Sequence, residues 1–142
     1  MTRARSTTPR LDKAVALVRA LGSGVTVLPQ VGAESARKLL WLNASGRPFL
    51  RPARDMQQSA VRYVRAELSF EPSASPSKLR AAMADGVRAA VLLRFTAQQG
   101  VRLRPLTARY LAHKIRRGLD RRIGIAHGKL LAELSSAKWT AR

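Results

Sequence analysis

Residues 52–95 read PARDMQQSAVRYVRAELSFEPSASPSKLRAAMADGVRAAVLLRF, and their pattern decides the fold. Behind Pro52, apolar side chains recur at helical spacing as far as about Leu68. Residues 69–77 hold two prolines and four serines, a composition typical of a loop. A second helix follows, with Ser75 as its cap and Pro76 preset at its first position. We therefore predict two long helices on either side of an irregular loop.

Each helix carries an apolar stripe suited to burial. In the first helix the predicted buried residues are Met56, Ala60, Val61, Val64 and Leu68, with Arg54, Gln58, Arg62 and Arg65 facing outward. In the second they are Leu79, Met83, Val87, Ala90, Val91 and Phe95, with Gly100 closing the helix. Gly86 lies on this second stripe, where the missing side chain permits close approach of a neighbour.

Shorter elements precede this pair. Thr8 and Pro9 begin a predicted helix that Gly22 ends, with Leu11, Val15, Val18 and Leu21 on one face. Residues 25–28 are β-prone and are stopped by Pro29. A helix is predicted over residues 33–43, followed by a turn at residues 44–46.

The last third contains smaller units. Residues 101–104 alternate apolar and basic, as a half-buried strand would, and residues 122–126 alternate again around Ile123 and Ile125. Between them, Thr107 caps a predicted helix that carries Tyr110, Leu111 and Ile115 and ends at Gly118. A final amphipathic turn or two contains Leu130, Leu131 and Leu134. These elements together predict one helix-rich α+β domain with a small antiparallel sheet.

The composition fits one folded domain. The chain has 142 residues, of which 46% are hydrophobic and 5% aromatic. We assign residues 1–10 to a basic N-terminal arm and residues 11–142 to the domain. The chain has no cysteine, and no stretch approaches the roughly 20 apolar residues of a membrane helix. The basic start lacks the apolar centre of a signal peptide, so we expect an unexported protein without a membrane partner.

Charge is the most unusual bulk property. Lysine and arginine total 27 against 8 acidic residues, for a formal net charge of +19. Such a chain is expected to meet a polyanion or an acidic protein surface. The basic residues are densest over residues 102–122, where Asp120 is the one acid and Tyr110 the one aromatic residue. This segment fits either a phosphate backbone or a protein assembly surface, and the lack of aromatic residues argues against a stacking platform for single strands.

No pattern in the sequence indicates catalysis. His113 and His127 lie apart in sequence, without a matching carboxylate or nucleophile pattern. The sequence contains no zinc-protease motif, no acidic calcium loop and no serine in a nucleophile-elbow motif. We expect a protein that is not an enzyme, with no catalytic residue, no metal and no cofactor.

Two motifs carry more information. The first is GRPFLRPA at residues 46–53, directly before the long amphipathic helix. The second runs from RPLT at residues 104–107 through Tyr110, Lys114 and Gly118 to GIAHGKLL at residues 124–131. Together, over residues 24–136, they resemble the tail-completion and virion-morphogenesis proteins of tailed phages.

The resemblance implies a structural protein of the virion neck or tail, assembled in the host cytoplasm. It would form a homo-oligomeric ring, a hexamer or a dodecamer, that joins the tail tube to the head connector. Its partners would be other copies of the chain, neighbouring connector and tail-tube or terminator proteins, and the packaged DNA. The motif residues expected to specify the fold are Arg47, Pro48, Phe49, Pro105, Leu106, Gly128 and Leu130. The residues expected to contact other subunits or DNA are Arg109, Lys114, Arg116 and Arg117. A small basic nucleic-acid-binding protein is the alternative.

Overall fold

A computed structural model describes residues 27–125 and 128–141. The described elements are, in chain order, β1 (Val27–Pro29), α1 (Ala33–Ala44), α2 (Arg54–Phe70), α3 (Pro76–Thr96), α4 (Ala108–Arg116), α5 (Lys129–Ser136) and β2 (Trp139–Ala141). The predicted helix over residues 9–22, the basic arm and His127 lie outside the described residues. The predicted α+β class, helix-rich with a small antiparallel sheet, is confirmed.

Helices α2 and α3 form the centre of the fold. All the residues predicted for the α2 stripe are buried or half-buried, and Arg54, Gln58, Arg62 and Arg65 are exposed as expected. Helix α3 begins as predicted, with the Ser75 hydroxyl accepting a hydrogen bond from the Lys78 amide. At Gly86 a Cβ atom would lie 2.7 Å from the Ala60 Cα, so the two helices meet there backbone to backbone.

The boundaries of the two long helices differ from the prediction. Helix α2 begins at Arg54 rather than at Pro52 and includes Ser69 and Phe70, so the irregular loop is limited to residues 71–75. Helix α3 ends at Thr96, before Gly100. The side-chain amide of Gln98 donates to the Phe95 carbonyl at 2.6 Å and to the Arg94 carbonyl at 3.2 Å. These hydrogen bonds satisfy two carbonyls in the last turn of the helix, so no glycine is needed to end it.

The sheet joins the two ends of the described chain. Strand β1 pairs with β2 in antiparallel register, with Leu28 opposite Thr140. Trp139 is buried, and its indole N–H donates to the Leu134 carbonyl at 3.1 Å. Because β2 also packs on α3, the sheet holds the first and last described residues against the helix pair.

Over the described residues, neither of the two alternating segments in the last third is a strand. Residues 101–104 alternate between half-buried and exposed, but the Arg104 amide donates to the carbonyl of Gly46, in the turn after α1, at 3.1 Å. At residues 122–125 the chain turns, with Gly124 at a φ of +77° and the Ile125 amide donating to the Arg122 carbonyl. In the first segment the alternation reflects packing of one side against the core rather than pairing in a sheet.

Candidate interaction surface around the two motifs

Arg47 joins the two sequence motifs. Its guanidinium donates to the Arg104 carbonyl at 3.0 Å and to the Pro105 carbonyl at 3.3 Å. The preceding Gly46, at a φ of +78°, accepts from the Arg104 amide. Segments more than fifty residues apart are thus held side by side through backbone carbonyls, which fixes the path of residues 104–107 into α4.

Phe49 is the buried centre of the first motif. Its side chain is 1% exposed, and its ring stacks on Phe95 with centroids 3.8 Å apart. The Gly124 backbone covers the ring so closely that a Cβ there would lie 2.7 Å from a ring carbon of Phe49. The expectation that Phe49 is a core residue agrees with this burial, and the ring connects α3 with the second motif.

Arg94 anchors the turn that carries Phe49. The side chain is fully buried, and its guanidinium forms two hydrogen bonds with the Asp55 carboxylate, at 2.6 and 2.7 Å. A third nitrogen donates to the carbonyls of Phe49 and Arg51 at 2.9 and 2.7 Å. Burial alone would raise the pKa of Asp55, but the hydrogen bonds and charge of Arg94, with backbone amides, hold it below its usual value.

Lys114 is buried, contrary to the expectation that it contacts partners. It is 2% exposed, and its ammonium donates to the Ile125 carbonyl at 2.6 Å and to the Arg122 carbonyl at 2.8 Å. It also lies 5.6 Å from the centroid of the Tyr110 ring. Burial lowers the pKa of Lys114; the charge of Asp120 opposes this, and the charge of Arg47 adds to it. Lys114 is buried because the turn at residues 122–125 presents carbonyls that need a donor.

The other expected contact residues are at the surface. Arg109, Arg116 and Arg117 are exposed on α4 or at its end. None of the three takes part in the ion pairs found among residues 27–125 and 128–141. Arg122, in contrast, pairs with Asp120 at 2.6 Å, and its hydrogen bonds lower the pKa of Asp120 to about 2. Helix α4 therefore presents a row of cations to solvent.

Three of the remaining motif residues line one cavity. Leu130 is buried, Leu106 is half-buried, and Gly128 adopts a φ of +74° at the start of α5. Leu106, Gly128 and Leu130 all line a cavity of about 600 Å³, which we call the motif pocket. Its other lining residues are Lys38, Trp41, Leu42, Arg47, Thr107, Tyr110, Lys114, Gly124, Ile125, Lys129 and Leu131. Pro48 and Pro105 instead line a separate groove.

Several residues that organise the surface were not identified from the sequence. Arg94 falls on the apolar stripe of α3, three residues after Val91, and a lone cation at such a position indicates a buried ion pair. No sequence pattern marks Gln98 as structurally important, although its side-chain carbonyl oxygen accepts a hydrogen bond from the Ile123 amide at 2.9 Å. The burial of Lys114 follows from its contact with the turn at residues 122–125, and the sequence does not reveal that contact.

The described residues form neither a metal-binding cluster nor a membrane-spanning helix. In the part of the chain that the structure describes, no three histidine, cysteine, aspartate or glutamate side chains group as a metal would need. Nor, over the same residues, is any helix long and apolar enough to cross a membrane. His113 is exposed and stacks on Tyr110 with ring centroids 6.2 Å apart.

The chain matches no protein-family model, no curated protein and no solved structure.

Proposed function

We propose that the chain is a non-catalytic structural protein of a tailed-phage particle, a ring-forming neck or tail-completion component. It would join the tail tube to the head connector. The observation that carries the proposal is the convergence of the two motifs that resemble this family. Arg47 binds the carbonyls of Arg104 and Pro105, and Phe49 packs under Gly124. Residues quoted for the resemblance thus form one packed unit.

The exposed charge supports a role in assembly. Arg109, Arg116 and Arg117 stand on a helix whose first turn is capped by Thr107 and whose path is fixed by the Arg47 contacts. Because these three cations are exposed and form no ion pair within the described residues, they suit docking against an acidic neighbour. The neighbours would be connector, tail-tube or terminator proteins, and the packaged DNA.

Ring closure would repeat one contact between copies of the chain. A heterologous contact generates a closed ring when its rotation closes, and a hexamer or a dodecamer is expected at a neck. Like charges on adjacent copies repel, so the ring would be stabilised by the acidic proteins above or below it. The function would need no cofactor and no turnover.

Electron microscopy of particles made by the encoding genome tests this proposal. The expected result is density for the chain in a ring between head and tail, with residues 27–125 fitting as one body. Particles that contain no copy of the chain, with the protein recovered only from host extract, would contradict the proposal.

Nucleic-acid binding is the second candidate, favoured by the same exposed arginines. If DNA binding is the purpose of residues 102–122, affinity for duplex DNA should fall steeply with salt. The slope should decrease by about 0.9 for each phosphate contact removed. The variant set is Arg109→Gln, Arg116→Gln and Arg117→Gln, and the matched set is Arg37→Gln, Arg62→Gln and Arg65→Gln, all exposed. A selective loss of DNA binding in the first set, with particle assembly intact, would favour this candidate over the neck.

A further inference from the structure

The motif pocket combines an apolar interior with exposed aromatic residues at its edge. Leu42, Ile125 and Leu130 are buried lining residues. At the edge, Trp41 on α1 is 63% exposed and Tyr110 on α4 is 46% exposed. Large exposed aromatic side chains beside an apolar recess are typical of protein contact sites.

The charges around the motif pocket all have one sign. Its charged lining residues are Lys38, Arg47, Lys114 and Lys129, and no aspartate or glutamate of the described chain lines it. Lys38 meets Glu34 only in an exposed pair at 3.6 Å, which contributes little. Glu133, one turn after Lys129, interacts with the charges of Lys129 and Lys38, but its carboxylate is held by the Ser35 hydroxyl and the Gly32 amide and does not line the pocket. An occupant with carboxylates therefore meets a lining whose charged side chains are all basic.

We infer that the motif pocket binds an acidic, leucine- or phenylalanine-bearing segment of another protein. An apolar side chain would enter between Trp41 and Leu130, and flanking carboxylates would face Lys38 and Lys129. The inference rests on the proposed function, because it gives the chemistry of a neighbour that the neck protein would dock.

Charge complementarity favours another protein over a second copy. The chain has 8 acidic residues against 27 basic ones, so a second copy would bring a charge of +19 to a basic rim. Nucleic acid fits the basic rim, where bases could stack on Trp41 or Tyr110, but the buried leucine and isoleucine walls of the interior offer bases no stacking partner. The partner is therefore expected to be acidic and to carry an apolar anchor.

Fluorescence anisotropy with the full chain tests the inference. The probe is a labelled peptide that alternates glutamate with leucine, and the control is a peptide of equal length and charge that alternates glutamate with serine. We expect the leucine peptide to bind at least about tenfold more tightly, which corresponds to about 1.4 kcal/mol. Equal binding of the two peptides, or no binding of either, would overturn the inference.

Matched variants locate the binding. Trp41→Ala and Lys129→Gln should each weaken leucine-peptide binding, by about tenfold for Trp41→Ala. The controls Tyr63→Ala and Arg62→Gln remove an exposed aromatic residue and an exposed cation from α2, and should leave binding unchanged. Thermal melts that coincide with the wild type show that each variant is folded. If the control variants weaken peptide binding equally, the peptide binds the basic surface of the chain in general and not the motif pocket.

Two further measurements distinguish an acidic peptide from nucleic acid and from a second copy of the chain as the ligand of the motif pocket. A single-stranded oligonucleotide that binds more tightly than the leucine peptide and loses affinity in Trp41→Ala would overturn the inference in favour of nucleic acid. A change in sedimentation mass caused by Trp41→Ala without peptide would overturn it in favour of a second copy. Peptide binding is measured without particles, so its failure is distinguishable from the absence of the chain from particles.

Discussion

The α2–α3 pair and residues 97–125 are held in place by different interactions. Between α2 and α3, apolar stripes meet and Gly86 lets the backbones touch, so the contact is made by shape and burial. In residues 97–125, polar side chains hold backbone groups: Gln98 binds the Ile123 amide, and Lys114 binds the carbonyls of Arg122 and Ile125. The first region is specified by periodicity, whereas the second depends on individual polar contacts.

Phe49 touches both regions, and its truncation is expected to have the largest effect. Phe49→Ala should lower the free energy of unfolding by about 3–5 kcal/mol, because it leaves a cavity between Phe95 and Gly124. Denaturant unfolding followed by circular dichroism measures the change. A variant that unfolds like the wild type would show that Phe49 does not connect the two regions.

The difference between the regions explains what the sequence could predict. Both long helices, the Ser75 cap and the close approach at Gly86 follow from spacing and local chemistry, and all three are found. The predicted strand at residues 101–104 was wrong, because alternation records which side chains face the core and not whether a partner strand is present. In the second predicted segment, the described residues 122–125 form a turn at Gly124. The burial of Lys114 depends on carbonyls eight and eleven residues away, which no local pattern encodes.

Loss of the Lys114 ammonium should destabilise residues 97–125 selectively. Lys114→Met keeps the length of the side chain but leaves two carbonyls without their donor, at a cost of about 1–3 kcal/mol for each one that stays buried. Arg116→Met, on the exposed face of the same helix, is the control and should stay within about 0.5 kcal/mol of the wild type. Hydrogen exchange should locate the loss in residues 108–125. Equal stability of the two variants would contradict the polar anchoring.

A methyl group at Gly86 tests the packing of α2 against α3. Gly86→Ala would improve helix propensity by about 1 kcal/mol, but it places a Cβ 2.7 Å from the Ala60 backbone, where no side chain can move aside. Overpacking of this kind costs about 1–3 kcal/mol, so we expect no gain or a net loss in thermal stability. Ala81→Ser on the exposed face of α3 is the control. A stabilised Gly86→Ala protein would show that the helices are not in backbone contact.

The smallest effect is expected from the acid titration of Asp120. Its pKa is lowered to about 2 by the hydrogen bonds from Arg122. A carboxylate with a depressed folded-state pKa contributes stability above its unfolded pKa, and that stability is lost as the pH falls toward the folded value. Asp120→Asn should therefore be less stable than the wild type near neutral pH, and the two should converge as the pH falls from about 4 to about 2. Urea unfolding across this range would show parallel curves if the Arg122 contact contributed nothing.

Complementation of a genome that lacks the chain tests the neck assignment most directly. Without the protein, filled heads and complete tails should accumulate unjoined, and the wild-type protein supplied in trans should restore joined particles. Arg116→Glu with Arg117→Glu should fold but fail to restore joining, whereas Arg62→Glu with Arg65→Glu on α2 should restore it, with both folds checked by circular dichroism. Joined, infectious particles formed in the complete absence of the chain would contradict the account.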